Sequence, residues 1–103
     1  MVKLGLYVRL EAKAGKEEEL QHFLESALPL TKAEKGMPAW FALRFSSSSF
    51  GIFDAFPSES GRKAHLEGPI AAALMAKADD LLSAPPVIEK VDVLASKVPG
   101  DNS

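Results

Sequence analysis

Two side chains stand out as candidates for proton chemistry. His65 carries an imidazole, which titrates close to neutral pH and suits a general base. It falls late in a short helical stretch, where the residues alone favour a structural reading: a partly exposed imidazole held near the helix C-terminus by the dipole. Asp54 is the one carboxylate in the apolar run Phe50 to Phe56. A carboxylate pointing inward from such a strand needs a cation, and Arg9 or Arg44 on neighbouring strands could supply it. That pairing suits either a structural ion pair or a catalytic group. Tyr7 adds a phenolic hydroxyl, with amphipathic packing as its plainer role. His22, between Leu20 and Phe23, reads as a surface residue beside an apolar stripe.

Other chemistries lack their residues. The chain has no cysteine, which excludes disulfides, thiolate zinc sites, iron–sulfur clusters and thiol nucleophiles. No Gly-x-Gly-x-x-Gly or phosphate loop is present, so nucleotide binding has no warrant. Two distant histidines make no metal site, and none is expected. Ser46 to Ser49 reads as a loop, and Glu17 to Glu19 as a solvated helix start.

The elements that position these residues follow from periodicity. Leu4, Leu6, Val8 and Leu10 alternate with Gly5, Tyr7, Arg9 and Glu11, which predicts a half-buried strand. After Ala14-Gly15, Leu20, Phe23, Leu24, Ala27 and Leu28 recur at helical spacing from near Lys16. Pro29 ends or kinks that helix, which can resume as far as Glu34 before Gly36 and Pro38. Strands are expected over Trp40 to Ser46 and Phe50 to Phe56, joined by the serine turn. Ser58 is an N-cap for a short helix through Glu67, and Gly68-Pro69 restarts a second along Ile70, Ala73, Leu74, Lys77, Ala78 and Leu81. Pro85-Pro86 ends the helical region, and Val87 to Leu94 is the last strand.

The order strand, helix, strand, strand, helices, strand is an α+β, ferredoxin-like βαββαβ arrangement with a four-stranded antiparallel sheet. Right-handed crossovers place both helical regions on one face, with the first and third strands central. The chain's 103 residues suit one domain, expected over 1–98, with 99–103 a flexible tail. The expected helix-facing side holds Leu4, Leu6, Val8, Leu43, Phe45, Phe53, Val91 and Val93. The other side would carry Tyr7, Arg9, Trp40, Arg44, Ile52, Asp54, Phe56, Ile88 and Lys90, too apolar to be left wet.

Something must cover that second face. Twelve basic against 14 acidic side chains offer no general attraction to nucleic acid or to an anionic membrane. Phe50-Gly51-Ile52-Phe53-Asp54-Ala55-Phe56 only faintly echoes the third strand of an RNA-recognition domain: Ser48 and Ser49 replace its basic residue and glycine, and Asp54 would face the phosphates. No apolar run approaches the ~20 residues that span a bilayer, and the alternating N-terminus is unlike a signal peptide, so a cytoplasmic protein is expected.

A second copy of the chain fits best, because the sequence resembles the antibiotic biosynthesis monooxygenase superfamily over Leu4 to about Val98. The resemblance is carried by Gly15 to Glu18 at the helix start, by Glu34-Lys35-Gly36-Met37, and by Phe53 to Ser60 followed by Ala64-His65-Leu66. The tryptophan usual at the end of the third strand is Phe56 here, and the residues that serve the haem-degrading branch are absent.

The resemblance implies a homodimeric α+β barrel, quinol-monooxygenase-like, that oxidises a small aromatic such as a quinol or polyketide-like phenol with O₂ and uses no metal, flavin or other cofactor. An electron-rich phenolate passes an electron to O₂ and the fragments recombine, so the protein must hold a flat ring, take a proton and stabilise oxyanions in a dry cavity. On that reading Trp40, Ile52 and Phe56 wall the pocket with Arg9 nearby, Tyr7 and Arg44 hold substrate oxygen, and His65 or Asp54 accepts the proton. The alternative is a non-catalytic ligand-binding or stress-response barrel that keeps dimer and pocket without the chemistry.

Overall fold

The computed structural model describes residues 1–99, so the expected tail lies, Pro99 apart, outside the described residues. Strand β1 (Leu4–Glu11) follows the predicted alternation and turns at Gly15, whose φ of 84° is the left-handed conformation that glycine adopts without strain. Helix α1 (Glu17–Ser26) places Glu17, Glu18 and Glu19 in its first turn, where the helix dipole favours negative charge. Pro29 interrupts the helical run and leaves a single turn, α2 (Leu28–Thr31). Strands β2 (Ala39–Arg44) and β3 (Ser49–Phe56) are joined by the serine turn, in which Ser46 Oγ accepts from Ser49 N at 3.1 Å.

Ser58 caps α3 (Glu59–Leu66), its hydroxyl accepting from Gly61 N at 3.4 Å. Gly68 and Pro69 open α4 (Pro69–Leu81), and β4 (Val87–Asp92) ends two residues short of the predicted strand. The sheet runs β2-β3-β1-β4 with every pair antiparallel, so β1 and β3 are central. This is the expected α+β, ferredoxin-like arrangement.

Val8, Leu10, Phe50 and Ile52 bury their side chains against Leu20 and Leu24 of α1 and Leu74, Ala78 and Leu81 of α4. Each such burial contributes about 1.5–3 kcal/mol. Arg62 of α3 lies buried over the sheet: Nη1 donates to Gly5 O at 3.2 Å and Nη2 to Glu59 Oε2 at 2.6 Å. This anchors α3 by a polar contact where the helix has few apolar side chains.

Register corrects the expected facing of three strands. Leu6 of β1 pairs with Asp54 and Lys90, Val8 with Ile52 and Ile88, and Trp40 with Asp54. Opposed residues of an antiparallel pair share a face. Trp40, Arg44, Ile52, Asp54, Phe56, Ile88 and Lys90 therefore stand on the helix side, with Leu6 and Val8. Leu43, Phe45, Phe53 and Val91, expected against the helices, belong to the open face with Tyr7 and Arg9, and Val93 packs with Phe53 beyond the end of β4. The reason is physical: alternation separates two faces but does not say which one the helices take, and on β2 and β3 the open face is rich in phenylalanine. Phe41 and Phe45 remain 53% and 49% exposed there.

Candidate functional site

The sheet divides the eight residues singled out from the sequence. Tyr7 and Arg9 lie on the open face, where Arg9 Nη1 donates to Tyr7 Oη at 3.2 Å and its guanidinium sits 4.6 Å from the centre of the Phe45 ring. Arg44 is on the helix side, at the far end of β2. Its Nη1 donates to Gln21 Oε1 at 2.7 Å, its Nη2 and Nε to Ser47 O and Ser46 O, and it stacks over Phe50 at 5.0 Å. Arg44, Gln21, Ala42 and Phe50 line a cleft of about 260 Å³ between α1 and β2. Neither arginine is the partner of Asp54.

That partner is His65. The last turn of α3 brings the imidazole Nε2 to 3.2 Å from Asp54 Oδ2. The contact is ionic and falls short of hydrogen-bond alignment. On the other side of the ring, Nδ1 lies 2.9 Å from Glu34 Oε1, in hydrogen-bond geometry. A protonated ring carries one N–H toward each carboxylate, and the Phe56 ring packs beside it at 5.7 Å. Asp54 is 1% exposed and the His65 side chain 8%, so the partly exposed histidine of the structural reading is not found.

Glu34 was not singled out from the sequence beyond its place in Glu34-Lys35-Gly36-Met37. It is held here by a close backbone approach: a Cβ on Gly61 would lie 2.7 Å from Gly36 O. Two glycines thus let α3 sit directly on the segment that carries Glu34, and they were the one signal in the sequence that could have joined the two.

Trp40, Ile52 and Phe56 surround this cluster as apolar walls. Trp40 is the register partner of Asp54 and packs against both Phe56 and the main core. Several buried polar atoms here have no hydrogen-bond partner: Trp40 Nε1, Glu34 Oε2 and both carboxylate oxygens of Asp54. Such orphans are costly in a folded interior.

Burial and charge work against each other. For His65, burial disfavours the imidazolium, yet the contacts with Asp54 and Glu34 outweigh it and raise the pKa above its ordinary 6.5. For Asp54, burial pushes the carboxyl above 3.8, the His65 contact pulls it back, and the charge of Glu34 pushes it up again. A group whose pKa is raised by folding stabilises the fold below its unfolded value and loses that contribution as pH rises through the folded value. Both shifts have this sign. Unfolding in urea is therefore expected at a lower midpoint near about pH 8.5 than near about pH 6. The pH dependence of His65→Gln above its ordinary 6.5 should be flatter, because the group that loses its proton there is gone.

Among the described residues, no group of three His, Asp, Glu or Cys side chains could hold a metal ion, and no helix is long and apolar enough to cross a membrane.

No family model matches the chain, and no curated protein matches it. Solved structures do. A protein of unknown function from Nitrosomonas europaea is 63% identical, with 98% of each chain covered and a TM-score of 0.95. Two structures named "putative antibiotic biosynthesis monooxygenase" share the fold at lower identity. One, also from Nitrosomonas europaea, is 16% identical over 89% of this chain and 99% of its own, with a TM-score of 0.80. The other, from Caulobacter crescentus, is 20% identical over 91% and 92%, with a TM-score of 0.78. The chain therefore belongs to one family with the 63%-identical Nitrosomonas europaea protein, and it shares its fold with the two structures named as antibiotic biosynthesis monooxygenases.

Proposed function

We propose that the chain is a homodimeric monooxygenase that oxidises a small aromatic, a quinol or related phenol, with O₂ and without metal or flavin. The observation that carries this reading is a buried imidazole held between two carboxylates beside the Phe56 ring. Such a cluster can take a proton from a phenol in surroundings that exclude water. Trp40 Nε1 and the Asp54 carboxylate, which make no hydrogen bond, are the polar groups on which a substrate hydroxyl would dock. Trp40, half-buried, would have to move to admit a ring.

The chemistry balances on the substrate alone. The phenol O–H proton passes to the Asp54–His65 pair, and the phenolate gives one electron to O₂. Ring carbon and superoxide join as a peroxide. Its O–O bond then breaks as the ring C–H proton leaves, and the outer oxygen departs with that proton as hydroxide. A second proton, equal to the one the Asp54–His65 pair took up, makes the hydroxide water and restores the charge, so phenol and O₂ give a quinone and one water. One oxygen atom enters the product, and the substrate supplies all the electrons. The protein's part is to take the first proton and to hold the ring.

The open face supports the dimer: Phe41, Leu43, Phe53 and Val91 lie on it, and a second sheet would cover them. The test is oxygen uptake by the wild-type chain, with a metal chelator present, against a panel of hydroquinones and polyketide-like phenols. Uptake that matches substrate loss one to one supports the reading, and a panel wholly unconsumed removes it.

One observation favours a second reading, a ligand-binding barrel without turnover: both nitrogens of His65 are already engaged by carboxylates. It predicts that a phenol raises the unfolding temperature while no oxygen is consumed.

A further inference from the structure

We infer that Glu34 is the positioning residue of the buried Asp54–His65 pair and the port through which that pair exchanges protons with water. The inference rests on reading Asp54 and His65 as the groups that handle the substrate proton, and its test needs no turnover. Exposure rises in order along the chain of contacts: 1% for the Asp54 side chain, 8% for His65 and 18% for Glu34. Glu34 also lines a cavity of about 190 Å³, shared with Gly36, Gly61, Ala64 and Pro69. It is therefore the member of the three placed to meet solvent.

The geometry gives Glu34 its task. Oε1 accepts from His65 Nδ1 at 2.9 Å, which fixes the ring so that Nε2 faces Asp54. Oε2 is itself buried and makes no hydrogen bond, so Oε1, in contact with the ring, is the oxygen through which the proton passes. Asp54, from β3, and Glu34, from the segment before β2, are the charged groups that act on the imidazole.

The proton on Nδ1 leaves in one transfer: its N–H bond breaks as an O–H bond forms at Glu34 Oε1, and the ring is left neutral with its proton on Nε2, toward Asp54. Each electron pair stays on the atom that gives up its proton, and no electron changes owner. Glu34 then gives the proton to solvent, and the reverse transfers recharge the ring. A carboxylate that served only as a structural anchor would hold the ring without this traffic.

The test is ¹⁵N NMR of the His65 imidazole in the full-length chain, read as a pH titration and as exchange of the Nδ1 proton with water. In Glu34→Gln, which keeps a hydrogen-bond acceptor of the same shape, the His65 pKa should fall by about one unit or more and proton exchange should slow. Ala64→Leu extends into the cavity from the surface of α3 and leaves the three groups chemically unaltered. It should slow exchange and leave the pKa in place, so it decides the matter even where Glu34→Gln fails to fold. Wild-type exchange in Ala64→Leu, or an unchanged pKa and exchange rate in Glu34→Gln, would overturn the inference. If the NMR results are as expected while no quinol is consumed, the oxygenase reading fails and the proton port stands.

Discussion

The His65→Ala chain is expected to lose about 3–5 kcal/mol of stability near neutral pH, the cost of leaving buried carboxylates without their cation. For a domain of this size that lowers the unfolding temperature by at least ~12 °C. The loss has an electrostatic part and a packing part, since the imidazole also fills space beside Phe56. A double-mutant cycle separates them. If the charge account is right, Asp54→Asn in the His65→Ala background recovers part of the loss, with a coupling energy of about 1–3 kcal/mol. Additive effects would mean that His65 matters only for its volume.

The second large effect concerns the open face. Phe53 stands at its centre on β3, paired with Tyr7 of β1 on one side and Phe41 of β2 on the other. An aspartate there places an unpaired charge where the proposed dimer packs its two sheets together, and burying it costs more than any apolar contact there returns. Phe53→Asp is expected to convert a dimer into a folded monomer in sedimentation equilibrium, because the helix-side core of Leu10, Phe50 and Ile52 is untouched. A monomeric wild-type chain, or a variant that still sediments as a dimer, removes the barrel from the account.

The elements were legible because each carries its own local signal. The alternation of Leu4 to Leu10, the cap at Ser58, the Gly68-Pro69 start and the break at Pro29 all act within a few residues. The facing of the strands was not legible, for a reason that bears on function. Phe41, Leu43 and Phe45 look more like core than Trp40, Ala42 and Arg44 do, yet they lie on the open side. An apolar face that a second molecule covers and one that the chain's own helices cover have the same pattern.

The site was half legible. Asp54 and His65 were both visible, as an odd carboxylate in an apolar strand and an imidazole on a short helix. Their mutual contact was not, because the misread facing offered Asp54 the arginines Arg9 and Arg44 instead. Glu34 lies 31 residues from His65 in sequence and joins it only through the fold. Tyr7 and Arg9 were gathered into the same site by that misreading, and the sheet separates them from it. They now belong with Phe45 and Ser49 on the proposed dimer face.

The central claim is that the buried Asp54–His65 pair takes the substrate's proton in an oxygenation driven by the substrate itself. The most direct measurement is the rate of oxygen uptake by Asp54→Asn beside the wild type, with a metal chelator, on a quinol that the wild type consumes. Asparagine keeps the shape of the side chain and cannot take the proton. The account predicts a fall of about 100-fold or more, with fold and dimer intact by circular dichroism and sedimentation. A folded, dimeric Asp54→Asn that consumes oxygen at the wild-type rate would contradict it.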